Sequence, residues 1–279
     1  MFQRRPATRT LVIVAAAVAA AVAGLALLLY LINRKVDREL TPRTPVARPE
    51  VPVPVGRKQL AALPRATTWT TVGKAGRDPA PLAATDGLIL HPRRSTVVYA
   101  SPGGPPIAVV PPTQLDQPTW LPVVERRPAW MRVLLPSRPN GSTGWIHTGD
   151  GAAKIGHTPY EVRIDLSDRR LVLRKNGRPA GSWRVGIGTR RTPTPVGRTF
   201  LLAALAPSGV DYSPVILPLG MHSEKLRTYD GGPGTIGLHG WPDGSVFGQA
   251  ISHGCVRLPA AALDAVRHIP LGSMIFIQA

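Results

Sequence analysis

The stretch AISHGCVRLP, Ala250 to Pro259, holds Cys255, the single cysteine of a 279-residue chain. One thiol cannot close an intramolecular disulfide. It is buried and inert, cross-linked to another chain, or reactive. Its neighbours favour the third reading. Ser252, His253, Gly254 and Arg257 flank it, and His239 lies in the sequence LHG, thirteen residues before Ser252. A cysteine nucleophile, a histidine base and a group that orients the histidine make a complete set for acyl transfer. Gly254 lets a carbonyl approach the backbone closely, and the N–H groups of Gly254 and Cys255 are candidates for an oxyanion hole. Read as one extended strand, the stretch puts Ser252 and Gly254 on one side and His253 and Cys255 on the other. A helix starting near Pro259 would favour the thiolate if its N-terminus points at the sulfur.

Other chemistries use the same residue types. His222, His239, His253 and Cys255 are competent zinc ligands, but their spacing matches no familiar structural site. His91, His147, His157 and His268 carry no motif. A papain-like peptidase places its cysteine before its histidine, whereas His239 comes first here. A sortase would set its Cys, His and Arg in different local sequence.

The elements that must hold these groups read as strands. In YEVRIDLSDRRLVLRKNGRPAGSWRVGIG, from Tyr160, Val162 and Ile164 alternate with charged neighbours, and Leu171 and Leu173 do the same. Asn176-Gly177 is a hairpin turn. TPTPVG, Thr192 to Gly197, is a rigid loop, and TIGLHG is a strand ending at Gly240. Pro259 suits the first turn of a short helix running to about His268, and SMIFI is a last apolar strand. Upstream, STVVYASP, PIAVVP, TWLPVVERRPAWMRVLLP and TGWIHT are short strand-like pieces broken by Pro and Gly. Around Trp130 to Leu135 the alternation predicts a strand with one buried face.

Residues 158–279 resemble the YkuD-type L,D-transpeptidase catalytic domain. The resemblance rests on TPTPVG, on HG followed by SHGC, and on VRL after the cysteine. It implies a β-sandwich or barrel with one short helix, in which Cys255 attacks a peptidoglycan stem peptide. It also implies that His239 is the base, oriented by the carbonyl of Gly240, and that His253 and Gly254 shape the site. Ser252, Arg257 and His222, the last within LPLGMHSE, are the implied substrate-binding residues. The implied reaction moves an acyl group from a tetrapeptide stem to the side-chain amine of a second stem, giving a 3→3 cross-link with no metal or organic cofactor. An L,D-carboxypeptidase using water, or a binding module without turnover, would share these residues. Carbapenem inhibitors are expected to acylate the thiol. The order of strands over residues 84–150 resembles a small bacterial Src-homology-3-like barrel, and residues 61–83 have no assignment.

The expected whole is a mostly β chain with an anchor. Leu11 to Ile32 is an unbroken apolar run, with Arg4, Arg5 and Arg9 before it and Arg34 and Lys35 after it. That length matches a bilayer-spanning helix. A cleaved signal peptide is the other reading of the run. No cysteine adjoins it, which excludes a lipoprotein anchor. The expectation is a single-pass cell-membrane protein with residues 1–10 inside and the catalytic part on the wall side. Residues 33–60 are proline-rich, and at about 3.1 Å per residue their extended part would hold a folded body roughly 50 Å from the bilayer. The net charge of +18, from 34 basic and 16 acidic residues, suits anionic surroundings. The arginines are scattered, with no zinc-finger spacing, aromatic-basic patch or phosphate loop, so nucleic acid is not an expected partner.

Overall fold

The computed structural model describes residues 20–32, 34–35 and 50–279. The expected tail 1–10, the start of the apolar run at 11–19 and most of the spacer, 36–49, lie outside the described residues. Residues 20–32 are helical. Among the described residues no helix is long and apolar enough to cross a membrane. Residues 50–279 lie in one compact unit.

The first half of that unit is a meander of antiparallel strands. In chain order these are β1 (Leu88–Pro92), β2 (Thr96–Tyr99), β3 (Pro106–Val110), β4 (Leu121–Arg127), β5 (Trp130–Leu134), β6 (Ser142–His147) and β7 (Ala153–His157). They pair in the order β7-β1-β4-β5-β6-β2-β3, and Gly76–Arg77 adds to β6. The alternation expected for β5 is not kept, since Met131 and Arg132 are both half-buried. Trp130 is buried on one side, but Val133, Leu134 and the following Leu135 are all buried, because this stretch is covered on both faces. Residues 61–83 are sewn onto this sheet through bridges from Arg65 to Val109 and from Thr71 to Arg138.

The end of the spacer is not a free tether. Trp130 Nε1 donates to Glu50 O at 2.7 Å and Tyr99 Oη donates to Val53 O at 3.0 Å. Val55 packs on the cluster of Tyr99, Trp130 and Trp145. Prolines at 52 and 54 favour an extended backbone, and the buried aromatic side chains supply donors to two of its carbonyls. A short helix α1 (Arg57–Ala62) follows.

The second half carries the chemistry. β8 (Tyr160–Asp165), β9 (Arg170–Lys175), β10 (Arg178–Arg184), β11 (Gly197–Phe200) and the last strand β16 (Met274–Gln278) form one sheet, in the order β10-β9-β8-β16-β11. The hairpin at Asn176-Gly177 forms as its residue types require, with φ of +50° and +73°. A second sheet joins β12 (Ile216–His222), β13 (Thr235–Gly240) and β15 (Val256–Leu258), with β13 and β15 parallel. The short strand β14 (Ala250–Ser252) pairs instead with Ile187–Gly188. Helix α2 (Ala260–Arg267) buries Ala262, Leu263 and Val266 against the core between the sheets.

One further core joins the halves. Phe200 and Leu202 near β11, and Met274 and Phe276 of β16, pack with Ala66, Val72, Leu90, Leu121 and Ile146 of the first half. The mostly β fold with few helices agrees with the sequence-based expectation.

Candidate active site

The motif does not run as one strand. β14 ends at Ser252, β15 begins at Val256, and a turn of His253, Gly254 and Cys255 passes between two different sheets. The strict alternation expected of an extended SHGC therefore fails. Gly254 has φ +124°, and a Cβ there would sit 2.9 Å from Ile236 Cδ1. A side chain at this position meets both a disfavoured backbone and a collision.

Several hydroxyls fix the turn. Ser252 is buried, accepts the Gly254 N–H at 3.1 Å and donates to Cys255 O at 2.5 Å. Its hydroxyl is thus consumed inside the turn rather than offered to a substrate. The same bond takes the Gly254 N–H away from the oxyanion role expected of it. Thr194, from the TPTPVG loop, accepts the Gly188 N–H at 2.9 Å and donates to Gly254 O at 2.8 Å.

The parallel register of β13 and β15 sets Leu238 beside Val256 and His239 beside Arg257, which leaves Cys255 next to Gly237. Accordingly Gly237 N–H donates to Cys255 Sγ at 3.4 Å. The thiol is half-buried. Burial pushes its pKa above the ordinary thiol value, and the Gly237 N–H and the Arg257 charge only partly oppose this. Burial thus works against the thiolate that a helix N-terminus was expected to favour.

His239 Nδ1 lies 2.8 Å from Gly240 O. A carbonyl oxygen only accepts, so Nδ1 carries the proton and Nε2 presents its lone pair. The carbonyl is itself held, because Gly240 N–H donates to Ser213 Oγ at 2.8 Å and Ser213 Oγ donates to Val215 O at 2.6 Å. Burial holds the His239 pKa below the ordinary imidazole value, the Gly240 bond opposes it, and the Arg257 charge adds to the lowering. A neutral imidazole at pH 7 with a free lone pair is the form a general base needs. Among the described residues no hydrogen bond joins His239 to Cys255.

Aromatic rings frame His239. Tyr212 meets His239 edge-on with centroids 5.1 Å apart, and Trp241 lies 5.4 Å from Tyr212. The Arg257 guanidinium sits 3.5 Å from the Trp241 ring centroid, and its Nε is buried without a partner. His253 is exposed, with Nδ1 3.4 Å from Tyr229 Oη and the two rings 5.3 Å apart. Tyr212, Ser213, Thr194, Tyr229 and Trp241 are not marked by the sequence motif; only Thr194 lies in a segment that it singled out.

His222 is placed elsewhere. It is fully buried, with Nε2 2.7 Å from Thr68 O and 3.1 Å from Thr68 Oγ1. The expectation that it lines a substrate pocket is corrected. It serves the junction between the two halves, where Asn140 also grips its backbone through both amide atoms. Among the described residues no cluster of three or more His, Cys, Asp or Glu side chains has the geometry to hold a metal.

Residues 159–277 match the family model for YkuD, the L,D-transpeptidase catalytic domain. The matched segment is also similar to proteins of Bacillus. A YkuD protein of Bacillus licheniformis is 24% identical over 152 residues, covering 52% of this chain and 85% of its own. The YkuD protein of Bacillus subtilis is 22% identical over 121 residues, covering 43% of this chain and 66% of its own. Among solved structures, an L,D-transpeptidase from Mycobacterium smegmatis is similar at a TM-score of 0.37 and 14% identity, over 57% of this chain and 99% of that one. L,D-transpeptidase 3 from Mycobacterium tuberculosis, in complex with a faropenem-derived adduct, is similar at 0.39 and 11%, over 57% and 93%.

Proposed function

We propose that the protein is a peptidoglycan L,D-transpeptidase that works through a Cys255 acyl-enzyme. The observation that carries this is the tautomer of His239. Its Nδ1–H is committed to Gly240 O, so Nε2 is a lone-pair acceptor on the strand next to the one that Cys255 leads into. As Sγ attacks the stem carbonyl, its proton passes to Nε2 and the C–S bond forms. The tetrahedral centre collapses by breaking the C–N bond to D-alanine, which leaves as the amine with the proton from His239. The side-chain amine of a second stem then attacks the thioester, gives a proton to Nε2, and releases the thiol with that proton. The product is a 3→3 cross-link. No cofactor enters these steps.

The other groups have supporting roles. The Cys255 N–H is the remaining candidate from the motif for the developing oxyanion. Arg257, flattened on Trp241 with an unpartnered Nε, is suited to a substrate carboxylate. A carbapenem presents a strained carbonyl of the same kind, so acylation of Cys255 by this class is part of the reading. The anchor is read from the apolar run 11–32, which at about 1.5 Å per residue would span a bilayer core. The meander of residues 84–150, read as Src-homology-3-like, is assigned a structural and positioning role toward the YkuD segment.

The test is to incubate the full-length chain in detergent with tetrapeptide-containing disaccharides and to identify the products by mass. A cross-linked dimer with loss of one D-alanine supports transfer. Loss of D-alanine with only tripeptide product would make the protein a carboxypeptidase. An unchanged substrate with no acyl-enzyme mass would reject both.

A further inference from the structure

The Ser223–Gly234 segment leaves β12 and returns as β13, and it places Tyr229 against His253. Its base is closed by Ser223 N–H donating to Gly234 O at 2.8 Å, and its tip by reciprocal bonds between Tyr229 and Gly232 at 3.1 and 2.9 Å. Neither pairing settles the position of the tip over the catalytic turn. A third contact does, and it comes from the other half of the chain. The half-buried Arg138 guanidinium donates from Nη1 to Ser223 O at 3.0 Å, and from Nη2 to Leu226 O at 3.2 Å and to Pro233 O at 3.0 Å.

This is an unusual use of a cation. Among the described residues no carboxylate pairs with Arg138, and its side-chain partners are three backbone carbonyls of one segment. The fork geometry of a guanidinium can meet them together, which a lysine ammonium at the same place cannot. Arg138 is itself fixed, since its N–H donates to Thr70 O and its carbonyl accepts from Val72, each at 2.9 Å. The fit is tight: at Gly234 a Cβ would lie 2.3 Å from Leu226 O and 3.2 Å from Arg138 Nη2. Asn140, two residues on, holds the backbone of His222 just before the segment begins, at 2.7 and 2.8 Å.

We propose that Arg138 is a positioning residue for the active site: by tying three carbonyls of the Ser223–Gly234 segment, it holds Tyr229 over His253 and so shapes the entrance that a stem peptide must use. The proposal rests on reading Cys255 as the acylated nucleophile. The non-catalytic half of the chain then takes part in the reaction by setting substrate capture.

The experiment uses the full-length chain and the variants Arg138→Gln, Arg138→Lys, Tyr229→Ala and Arg138→Gln with Tyr229→Ala. For Arg138→Gln, KM for a tetrapeptide stem should rise about tenfold while kcat falls much less, a size consistent with misplacing a contact segment. Arg138→Lys should not restore it. Tyr229→Ala alters a half-exposed side chain, so it tests the same entrance should Arg138→Gln not fold. It should raise KM alike, and the double variant should rise no further. Unchanged KM in a folded Arg138→Gln, unchanged KM in Tyr229→Ala, or full additivity in the double variant would overturn the proposal. Hydrogen exchange over residues 225–232 and alkylation of Cys255 by iodoacetamide need no stem substrate. Exchange should quicken and alkylation should persist in Arg138→Gln. If the wild type turned over no stem peptide, the transpeptidase reading would fail, and these two measurements would still judge Arg138: unchanged exchange would reject its role.

Discussion

Arg198 and Asp78 meet in a two-point ion pair, Nε to Oδ2 and Nη2 to Oδ1, both at 2.6 Å, although 120 residues separate them. Both side chains are nearly out of water, at 2% and 3% exposure, and Arg198 Nη1 also donates to Ala83 O at 2.7 Å. The pair locks β11 of the YkuD segment to residues 78–83. Removing one partner strands the other charge in the interior. Asp78→Ala should therefore cost about 3–5 kcal/mol, read as a drop in denaturation midpoint. A loss below about 1 kcal/mol, the worth of a surface pair, would show that the junction opens in solution.

Cys255→Ala should abolish the acyl-enzyme seen by intact mass, and His239→Ala should slow acylation by about two to four orders of magnitude without unfolding the chain. With a carbapenem the wild type should gain one adduct that the Cys255→Ala variant lacks. Acylation of Cys255→Ala would place the nucleophile elsewhere.

Thr194 bridges two buried backbone groups, the Gly188 N–H and the Gly254 carbonyl. Thr194→Val keeps the shape and leaves both unpaired, at a cost of about 1–3 kcal/mol. Acylation should slow as well, because the turn bearing Cys255 loses its tie to the proline-rich loop. A stability loss with acylation unchanged would limit Thr194 to a folding role.

The two buried histidines give distinct pH signatures. His239 must be neutral to accept the thiol proton, and its pKa lies below the ordinary 6.5. The acid limb of acylation should accordingly have its midpoint below 6.5; a midpoint above it would contradict the buried imidazole. His222 is lowered from 6.5 to about 4, chiefly by burial, with the Arg138 charge adding and the Thr68 bond opposing. Between those two values the unfolded chain binds more protons, so stability is full above pH 6.5 and falls as pH drops toward 4. The loss amounts to about 3 kcal/mol from this one group. His222→Gln should flatten the slope of the denaturation midpoint across that window.

Alkaline phosphatase fused after Lys58 should be active, and a fluorescent protein that matures only in the cytoplasm should stay dark there. The opposite result would put Cys255 where no wall substrate exists.

The sequence revealed what chemistry writes into local pattern. Cys255 and His239 could be named as candidates because a nucleophile and a base impose residue types at short range, Gly240 only through the family resemblance, and the hairpin at Asn176-Gly177 because its positive φ values select those residues. Contacts between distant segments were not legible. Ser252 is a plausible substrate contact by type, and only the turn geometry shows its hydroxyl spent on Gly254 and Cys255. His222 sits in a family-like segment, but its partner is Thr68, 154 residues away. Arg138 is one arginine among many in a basic chain, and nothing in its neighbours forecasts three carbonyls on one loop.

The core shared by Phe200, Leu202, Met274 and Phe276 with Leu90 and Leu121 bears on how such a chain can be rearranged over evolutionary time. The family boundary near residue 159 is not a seam. A gene fragment cut there would encode a protein with four large apolar side chains facing water, each costing about 1.5–3 kcal/mol when left uncovered. Splicing that fragment behind a different upstream module would succeed only if the newcomer offered a matching apolar face. Recombination should therefore transmit the two halves as a linked pair, and drift in one should be answered by compensating volume changes in the other.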